Sequence, residues 1–305
     1  MKHLVSIADL SREEIEEILD LADELKAERY KGIVTEYLRN KSLAMIFELP
    51  STRTRVSFEV AMADLGGHAL YLGWNDLQLG RGEPIKDTAR VLSRYVHGVM
   101  IRARDHATIE EFAKYSSVPV INGLSNIEHP CQILADLMTI REYKGTLSKI
   151  KLVWVGDGNN VCNSMILAAS LLGIKMVYST PPGYEPNKSV LELSRKLGGD
   201  VEYVRDPDEA VRGADVIYTD VWTSMGQERE REKRLKVFSD YQVNMNLVNL
   251  ASEDAIVLHC LPAHRGEEIT DEVIESSSSV IYEQSENRLH AQKAILLKLL
   301  GELEE

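Results

Sequence analysis

Three hydroxyl side chains and two arginines stand together at Ser51, Thr52, Arg53, Thr54 and Arg55. Hydroxyls donate single hydrogen bonds, and guanidinium groups present planar forks that match phosphate or carboxylate oxygens. Pro50 stands just before the group, and apolar positions recur at helical spacing after it, at Phe58, Ala61, Met62 and Leu65, until Gly66 and Gly67. The group therefore lies at a helix start, where backbone N–H groups and the positive end of the helix dipole favour an anion. An ordinary N-cap with both arginines solvated or paired to local acids is the plain alternative. A cap needs one hydroxyl, however, and this stretch has three with two arginines. We read it as an anion site suited to phosphate, which by itself identifies no reaction.

Other chemistry-bearing residues follow apolar runs. Arg102 closes Val99–Arg102, and His129-Pro130-Cys131-Gln132 comes after Val120 and Ile121. Pro130 suits the first helical position, which puts His129 at the cap and Gln132 at the same end one turn later. A lone histidine is usually structural, but a histidine and a glutamine at a helix start in the same sheet as the anion turn can converge on one ligand. Gly156-Asp157-Gly158-Asn159-Asn160 resembles the opening of a dinucleotide fingerprint. Val161 stands where the third glycine belongs, though, and Lys175–Ser179 does not end in the acid that would hold a ribose. Asn159 and Asn160 instead offer amides to a small polar ligand. Asp220, followed by Ser224, Met225 and Gly226, is an acid that can bind an ammonium group, a helix cap being its ordinary alternative. Cys260 invites a nucleophile reading, yet His259 precedes it on a strand, where neighbours point to opposite faces, and is poorly placed as its base. No spaced Cys and His set supports a metal.

The elements that must position these residues alternate. Strands are expected at Ser42–Phe47, Ala69–Leu72, Val99–Arg102 and Val118–Ile121, with helices at Thr54–Leu65, Ile85–Tyr95, Ile109–Tyr115 and Pro130–Tyr143. After a boundary at Lys144–Lys149, strands recur at Leu152–Val155, Lys175–Tyr178, Val201–Val204, Val216–Thr219 and Ile256–His259, and a short one at Val280–Tyr282. This alternation predicts an α/β chain of two similar domains, each a parallel β-sheet flanked by helices. The expected division is residues 1–146 together with a C-terminal helix, 286–305, that crosses back to the first domain, and residues 147–285. Ligands of such sheets collect beyond the carboxyl ends of the strands, where the residues above fall.

With 305 residues, 44% hydrophobic and 27% charged, the chain can bury two cores. A net charge of −13 argues against a general nucleic-acid or anionic-membrane surface, so an anionic ligand needs a local basic pocket. Cys131, Cys162 and Cys260 form no Cys-x-x-Cys pair, which fits a reducing compartment. Glu13, Glu14, Glu16 and Glu17 beside Ile15, Ile18 and Leu19 read as an acidic amphipathic helix, neither a signal sequence nor a basic transit peptide. No apolar run approaches membrane-spanning length. The expectation is a soluble cytoplasmic protein with no nucleic-acid and no membrane partner.

Ser-Thr-Arg-Thr-Arg at 51–55, His-Pro-Cys-Gln at 129–132, Asp-Val-Trp-Thr-Ser-Met-Gly at 220–226 and His-Cys-Leu-Pro at 259–262 together resemble the motifs of the aspartate/ornithine carbamoyltransferase family. The resemblance runs in the family's order over nearly the whole chain, to Glu286-Asn287-Arg288. The first two stretches are similar to its carbamoyl phosphate motifs and the last two to its ornithine-type motifs; aspartate-type members share only the first pair. The resemblance implies that Ser51, Thr52, Arg53, Thr54, Gln78, Arg102, His129 and Gln132 bind carbamoyl phosphate. It implies that Asn160, Asp220, Ser224 and Met225 bind L-ornithine, and that Cys260, Leu261 and Arg288 complete the site. Arg102, His129, Cys260 and Arg288 would take catalytic roles, and Cys131 none.

The reaction so implied moves the carbamoyl group to the δ-amine of ornithine, giving citrulline and phosphate in arginine metabolism, with no metal or organic cofactor. A homotrimer or a higher multiple of trimers is implied too, in which the loop Trp74–Gly82 carries Gln78 to the carbamoyl phosphate of a neighbouring subunit. A surface loop that contacts nothing is the alternative. Three other functions compete. A transferase acting on putrescine, acetylated ornithine or another amine would leave Asp220, Ser224 and Met225 idle. A nicotinamide dehydrogenase needs the fingerprint that fails at Val161, and a non-catalytic anion-binding relative has no reason to keep Asp220, Cys260 and Arg288.

Overall fold

Apolar runs become strands and the amphipathic stretches between them helices, in a computed structural model that describes residues 1–224 and 228–301. The first half holds α1 (Arg12–Tyr30), β1 (Ser42–Phe47), α2 (Thr52–Asp64), β2 (His68–Gly73), α3 (Ile85–Leu92), β3 (Gly98–Arg102), α4 (His106–Tyr115), β4 (Val120–Leu124) and α5 (Pro130–Lys144). The second holds β5 (Lys151–Val155), α6 (Asn160–Leu172), β6 (Lys175–Ser179), α7 (Lys188–Lys196), β7 (Val201–Tyr203), α8 (Pro207–Val211) and β8 (Val216–Thr219). It continues with α9 (Arg231–Val237), α10 (Met245–Val248), β9 (Ile256–His259), α11 (Asp271–Ile274) and α12 (Ile281–Leu300). Two compact units result: Met1–Met138 with the stretch from Glu286 onward, and Thr139–Ser285. Each is a parallel α/β unit, and the last helix returns to the first, as expected.

In the first unit the strand order is β2-β1-β3-β4. β1 lies inside the sheet and buries Leu43 through Phe47, whereas β2 at the edge leaves Leu70 and Tyr71 exposed. Ala44, Ile46, Val99 and Ile101 pack with Ala89, Ile109 and Phe112 in one core. The chain steps outward from β1 to β2 on one side and from β3 to β4 on the other. Loops leaving the carboxyl ends of β1 and β3 therefore diverge and open a crevice, with Phe47 and Arg102 as register partners at its floor. The second unit repeats the plan in the order β7-β6-β5-β8-β9, with its reversal between β5 and β8. Its core gathers Val153, Val155, Ile217 and Val257 with Trp222 and Phe238.

Some expected bounds shift. β4 begins at Val120 rather than Val118, because Pro119 has no N–H for a ladder and Ser116 holds Val118 in a turn. Ser116 Oγ accepts the Val118 N–H at 3.2 Å and donates to its carbonyl at 2.7 Å. The helix expected to reach Tyr95 ends at Leu92, where Ser93 Oγ turns back to the Ala89 carbonyl at 2.6 Å. No strand forms at Val280–Tyr282. Residues 278–280 lie against β9, through Val257 N–H to Ser278 O at 2.8 Å and Val280 N–H to Val257 O at 3.2 Å, and α12 starts at Ile281, ahead of Glu286. The expected division at 146/147 lies in the turn after α5, where Gly145 takes a positive φ of 70°.

Candidate functional site

Ser51 has extended backbone (φ −160°), and its Oγ accepts the Thr54 N–H at 3.2 Å, so it is the N-cap of α2. The cap alternative thus holds for Ser51. The N–H groups of Thr52 and Arg53 are those a first turn leaves for an outside acceptor. Thr54 is buried, and its Oγ1 accepts from Arg288 Nη2 at 3.2 Å. Arg288, on α12 and 3% exposed, also donates Nη1 to Gln132 Oε1 at 2.6 Å, while Gln132 Nε2 donates to Asp136 Oδ1 at 2.8 Å. One buried guanidinium therefore ties the first turn of α2 to that of α5.

Arg102 closes β3 with its side chain buried, and its carbonyl accepts the Glu48 N–H at 2.9 Å, fixing the exit of β3 beside that of β1. The His129 carbonyl accepts the N–H groups of Gln132 and Ile133, as an N-cap carbonyl does. Burial, and after it the charges of Arg288, Arg102 and Arg53, push the His129 pKa well below its ordinary 6.5. The ring is therefore neutral at pH 7 and donates from one nitrogen only. Like charges gathered around a buried ring repel one another, and a bound dianion relieves that repulsion. Cys131 is buried, its thiol pushed up to about 12 by burial and donating to the Asn122 carbonyl at 3.4 Å, which makes it inert.

Hydrogen bonds join Thr54, Gln132 and Arg288, and charge joins Arg53, Arg102 and His129. Among the described residues Thr52 and Gln78 have no such link to them. Gln78 is exposed on a 3-10 turn, Gln78–Arg81. Its loop is less free than its composition suggests. Leu79 is buried, Trp74 and Leu77 pack against the same core, and a Cβ on Gly80 would lie 2.8 Å from the Trp74 carbonyl oxygen.

In the second unit β5 runs into Gly156, whose φ of 125° turns the chain sharply. The Gly158 N–H donates to Tyr184 O at 2.9 Å, and a Cβ on Gly158 would sit 2.3 Å from Pro186 N. The chain at 184–186 thus covers the glycine turn that a pyrophosphate would have to approach. Asn159 Oδ1 accepts the N–H groups of Val161 and Cys162 at 3.0 and 3.1 Å, closing the helix start as well. The fingerprint fails for these physical reasons, beyond the missing glycine. Asn159 is also engaged at its other end, where Nδ2 donates to Asp220 Oδ2 at 2.7 Å, so it does not offer the ligand the amide expected of it.

Asn160 is half-buried as the first residue of α6. Asp220, buried just past β8, also accepts the Cys260 thiol on Oδ1 at 3.1 Å. Asn159, Asp220 and Cys260 therefore form one chain across the exits of β5, β8 and β9. Ser224 is half-buried, and Met225 and Gly226 lie outside the described residues. Leu261 holds a left-handed backbone (φ 59°), a conformation that costs a side-chain-bearing residue about 1–3 kcal/mol. Its N–H donates to His259 Nδ1 at 2.9 Å, and His259 Nε2 donates to Glu268 Oε1 at 2.9 Å. Both ring nitrogens of His259 are thereby occupied, and it is not a base for Cys260.

One pair escaped the sequence reading. Arg234 Nη1 lies 3.1 Å from Asp157 Oδ2 and donates to the Trp222 carbonyl at 2.7 Å, with its guanidinium 4.8 Å from the Tyr184 ring centre. Burial lifts the Asp157 carboxyl to about 6 against the pull of Arg234. This buried strut fixes the main chain between Asp220 and Ser224. As possible cation ligands, Asp220, His259 and Cys260 place donor atoms within 4.8 Å of one another, and so do His264, Glu267 and Glu268.

Two family profiles match this chain: "Aspartate/ornithine carbamoyltransferase, carbamoyl-P binding domain" over residues 2–142, and "Aspartate/ornithine carbamoyltransferase, Asp/Orn binding domain" over residues 148–299. The ornithine carbamoyltransferase of Archaeoglobus fulgidus is 70% identical over 301 residues, which is 99% of this chain and 98% of that protein. That of Methanosarcina mazei is 58% identical, over 98% of this chain and 99% of its own. Among solved structures, ornithine carbamoyltransferase from Pyrococcus furiosus superposes with a TM-score of 0.95 at 55% identity, covering 99% of this chain and 98% of its own. The enzyme from Thermus thermophilus does so with a TM-score of 0.90 at 45% identity, covering 98% and 99%.

Proposed function

The chain belongs to the aspartate/ornithine carbamoyltransferase family, and we propose that it transfers the carbamoyl group of carbamoyl phosphate to the δ-amine of L-ornithine, giving L-citrulline and phosphate. The observation that carries the choice of ornithine is the Asn159, Asp220 and Cys260 chain at the second unit's switch point. It sets a buried carboxylate, suited to an α-ammonium group, beside a sulfur suited to an amine.

The neutral δ-amine attacks the carbonyl carbon, and the C=O electron pair moves onto oxygen. The tetrahedral intermediate then breaks its C–O bond to phosphate, and the phosphate takes the amine's proton. Arg102, the single N–H of neutral His129 and the Thr54 hydroxyl stabilise the growing oxyanion. Thr54 Oγ1 accepts from Arg288, so its own proton points elsewhere, toward the ligand. The Ser51 hydroxyl, the Thr52 and Arg53 N–H groups and the Arg53 guanidinium hold the leaving phosphate. Gln132 Oε1 keeps one lone pair for the carbamoyl NH2 while Arg288 takes the other. Asp220 binds the α-ammonium group, Asn160 the carboxylate, and Ser224 and Met225 complete the ornithine contacts. Cys260 sulfur and the Leu261 carbonyl accept from the δ-amine and orient it.

The finer assembly belongs to the same reading: a homotrimer, or a multiple of one, with Gln78 reaching a neighbour's carbamoyl phosphate. Exposed Leu70 and Tyr71 on the edge strand β2, with Val56 on α2, support an interface on the first unit. Free cysteines and net negative charge support a cytoplasmic site, and no described helix is long and apolar enough to cross a membrane.

Two substitutions separate the roles. Arg102→Ala lowers kcat by about a hundredfold or more, on the order of 3 kcal/mol of barrier, because it removes an oxyanion donor. Asp220→Ala chiefly raises KM for ornithine. The opposite pattern in steady-state kinetics overturns these assignments.

A further inference from the structure

Past β9 the chain makes a tight turn in which Gly266 adopts a left-handed backbone (φ 88°) and donates its N–H to Ile269 O at 2.9 Å. The turn gathers His264, Glu267 and Glu268. His264 Nδ1 lies 3.7 Å from Glu267 Oε2 and 3.9 Å from Glu268 Oε2, and the ligand atoms of the three residues lie within 4.8 Å of one another. These three atoms are buried from solvent and have no hydrogen-bond partner. Glu268 is fully buried, and its other oxygen already accepts from His259 Nε2 at 2.9 Å and from the His264 N–H at 2.6 Å. Its free oxygen is thus held, unpartnered, facing a second carboxylate oxygen and an imidazole nitrogen.

Such an arrangement is unfavourable unless a cation lies within it. Neighbouring arginines do not fill the gap. Arg231 takes the opposite oxygen of Glu267, and Arg265 pairs with Asp271 and Glu275. A protonated His264 is a poorer answer, since 3.7 and 3.9 Å are too long for hydrogen bonds. They are close to the tetrahedral edge of about 3.4 Å set by metal bonds of about 2.1 Å. We propose that His264, Glu267 and Glu268 bind a divalent cation of the zinc class.

One imidazole with two carboxylates suits such an ion better than calcium or magnesium, which take oxygen shells. His264 is 41% exposed, which leaves a route for the ion and a position for water. Through Glu268 and His259 the ion steadies the main chain at Leu261. The inference rests on this turn alone and not on the carbamoyl transfer reading.

The full chain, stripped with a chelator, is titrated with Zn2+ and Co2+ by calorimetry and absorption spectroscopy. The expected result is a single ion, a Co2+ spectrum without a thiolate charge-transfer band, and a raised thermal midpoint. His264→Ala and Glu267→Gln each weaken binding at least about tenfold. Neither side chain is fully buried, and circular dichroism of the metal-free variants verifies their fold. Absence of binding, unchanged affinity in both folded variants, or a thiolate band placing the ion at Cys260 overturns the proposal.

Discussion

In the proposed reaction His129 acts by staying uncharged. Burial and the surrounding arginines both oppose a second proton, so the ring keeps one N–H for a developing oxyanion through the range in which an exposed histidine titrates. Its carbon-bound ring signals in a histidine-labelled NMR titration should stay at their neutral positions from about pH 8 to about pH 5. Titration with a midpoint near 6.5 contradicts the account. Single residues were legible where type and spacing did the work. Ser51, Arg53, Thr54, His129 and Gln132 stand out because helix starts concentrate donors. The roles of Asn159 and Arg234 were not legible, because each depends on a partner distant in sequence: Asp220 for the first, Asp157 for the second. Arg234 also sits in a run of alternating charge that reads as a solvated helix face.

At the scale of elements, the two strand-order reversals explain why these residues fall where they do. Except for the strand expected at Val280–Tyr282, existence and order of the strands followed from apolar runs and punctuation. The ends of strands and helices did not, because Ser116, Ser93 and the pairing of 278–280 with β9 act through contacts that periodicity does not report. The strut between Asp157 and Arg234 makes a prediction at this scale. Asp157 titrates near 3.8 when unfolded and about 6 when folded, so the folded state binds more protons between those values. Its contribution to stability is then fully present below about pH 4 and is lost as pH rises through about 6. At about 1.36 kcal/mol per pKa unit the change is about 3 kcal/mol. Denaturation of the wild type and Asp157→Asn from pH 4 to 7 should show the variant gaining by most of that amount relative to wild type. Parallel curves mean that Asp157 ionises normally.

For the whole molecule, Arg53, Arg102 and Arg288 gather around His129 within a chain of net charge −13, the local basic pocket that the proposed binding of carbamoyl phosphate requires. Periodicity and composition carry no signature of assembly, and the proposed trimer rests on family resemblance and the Trp74–Gly82 loop. Cyclic symmetry would make every subunit both give and receive that loop. Gln78→Ala and Arg102→Ala chains, each nearly inactive alone, should regain part of the activity when co-expressed, because some sites in mixed oligomers pair an intact Arg102 with a neighbour's intact Gln78. Verified mixed oligomers as inactive as either parent would falsify sharing of the site.

Acceptor choice tests the central claim most directly. Carbamoyl phosphate is supplied to the purified chain with ornithine, putrescine, N-acetylornithine or aspartate, and the carbamoylated product is measured for each. The proposed roles, Asp220 on the α-ammonium group and Asn160 on the carboxylate, predict the highest kcat/KM for ornithine, with citrulline and phosphate released in equal amounts. Putrescine lacks the carboxylate, acetylornithine lacks the free α-ammonium, and aspartate lacks the δ-amine. A higher kcat/KM with any of the three, or phosphate release without citrulline, contradicts the account.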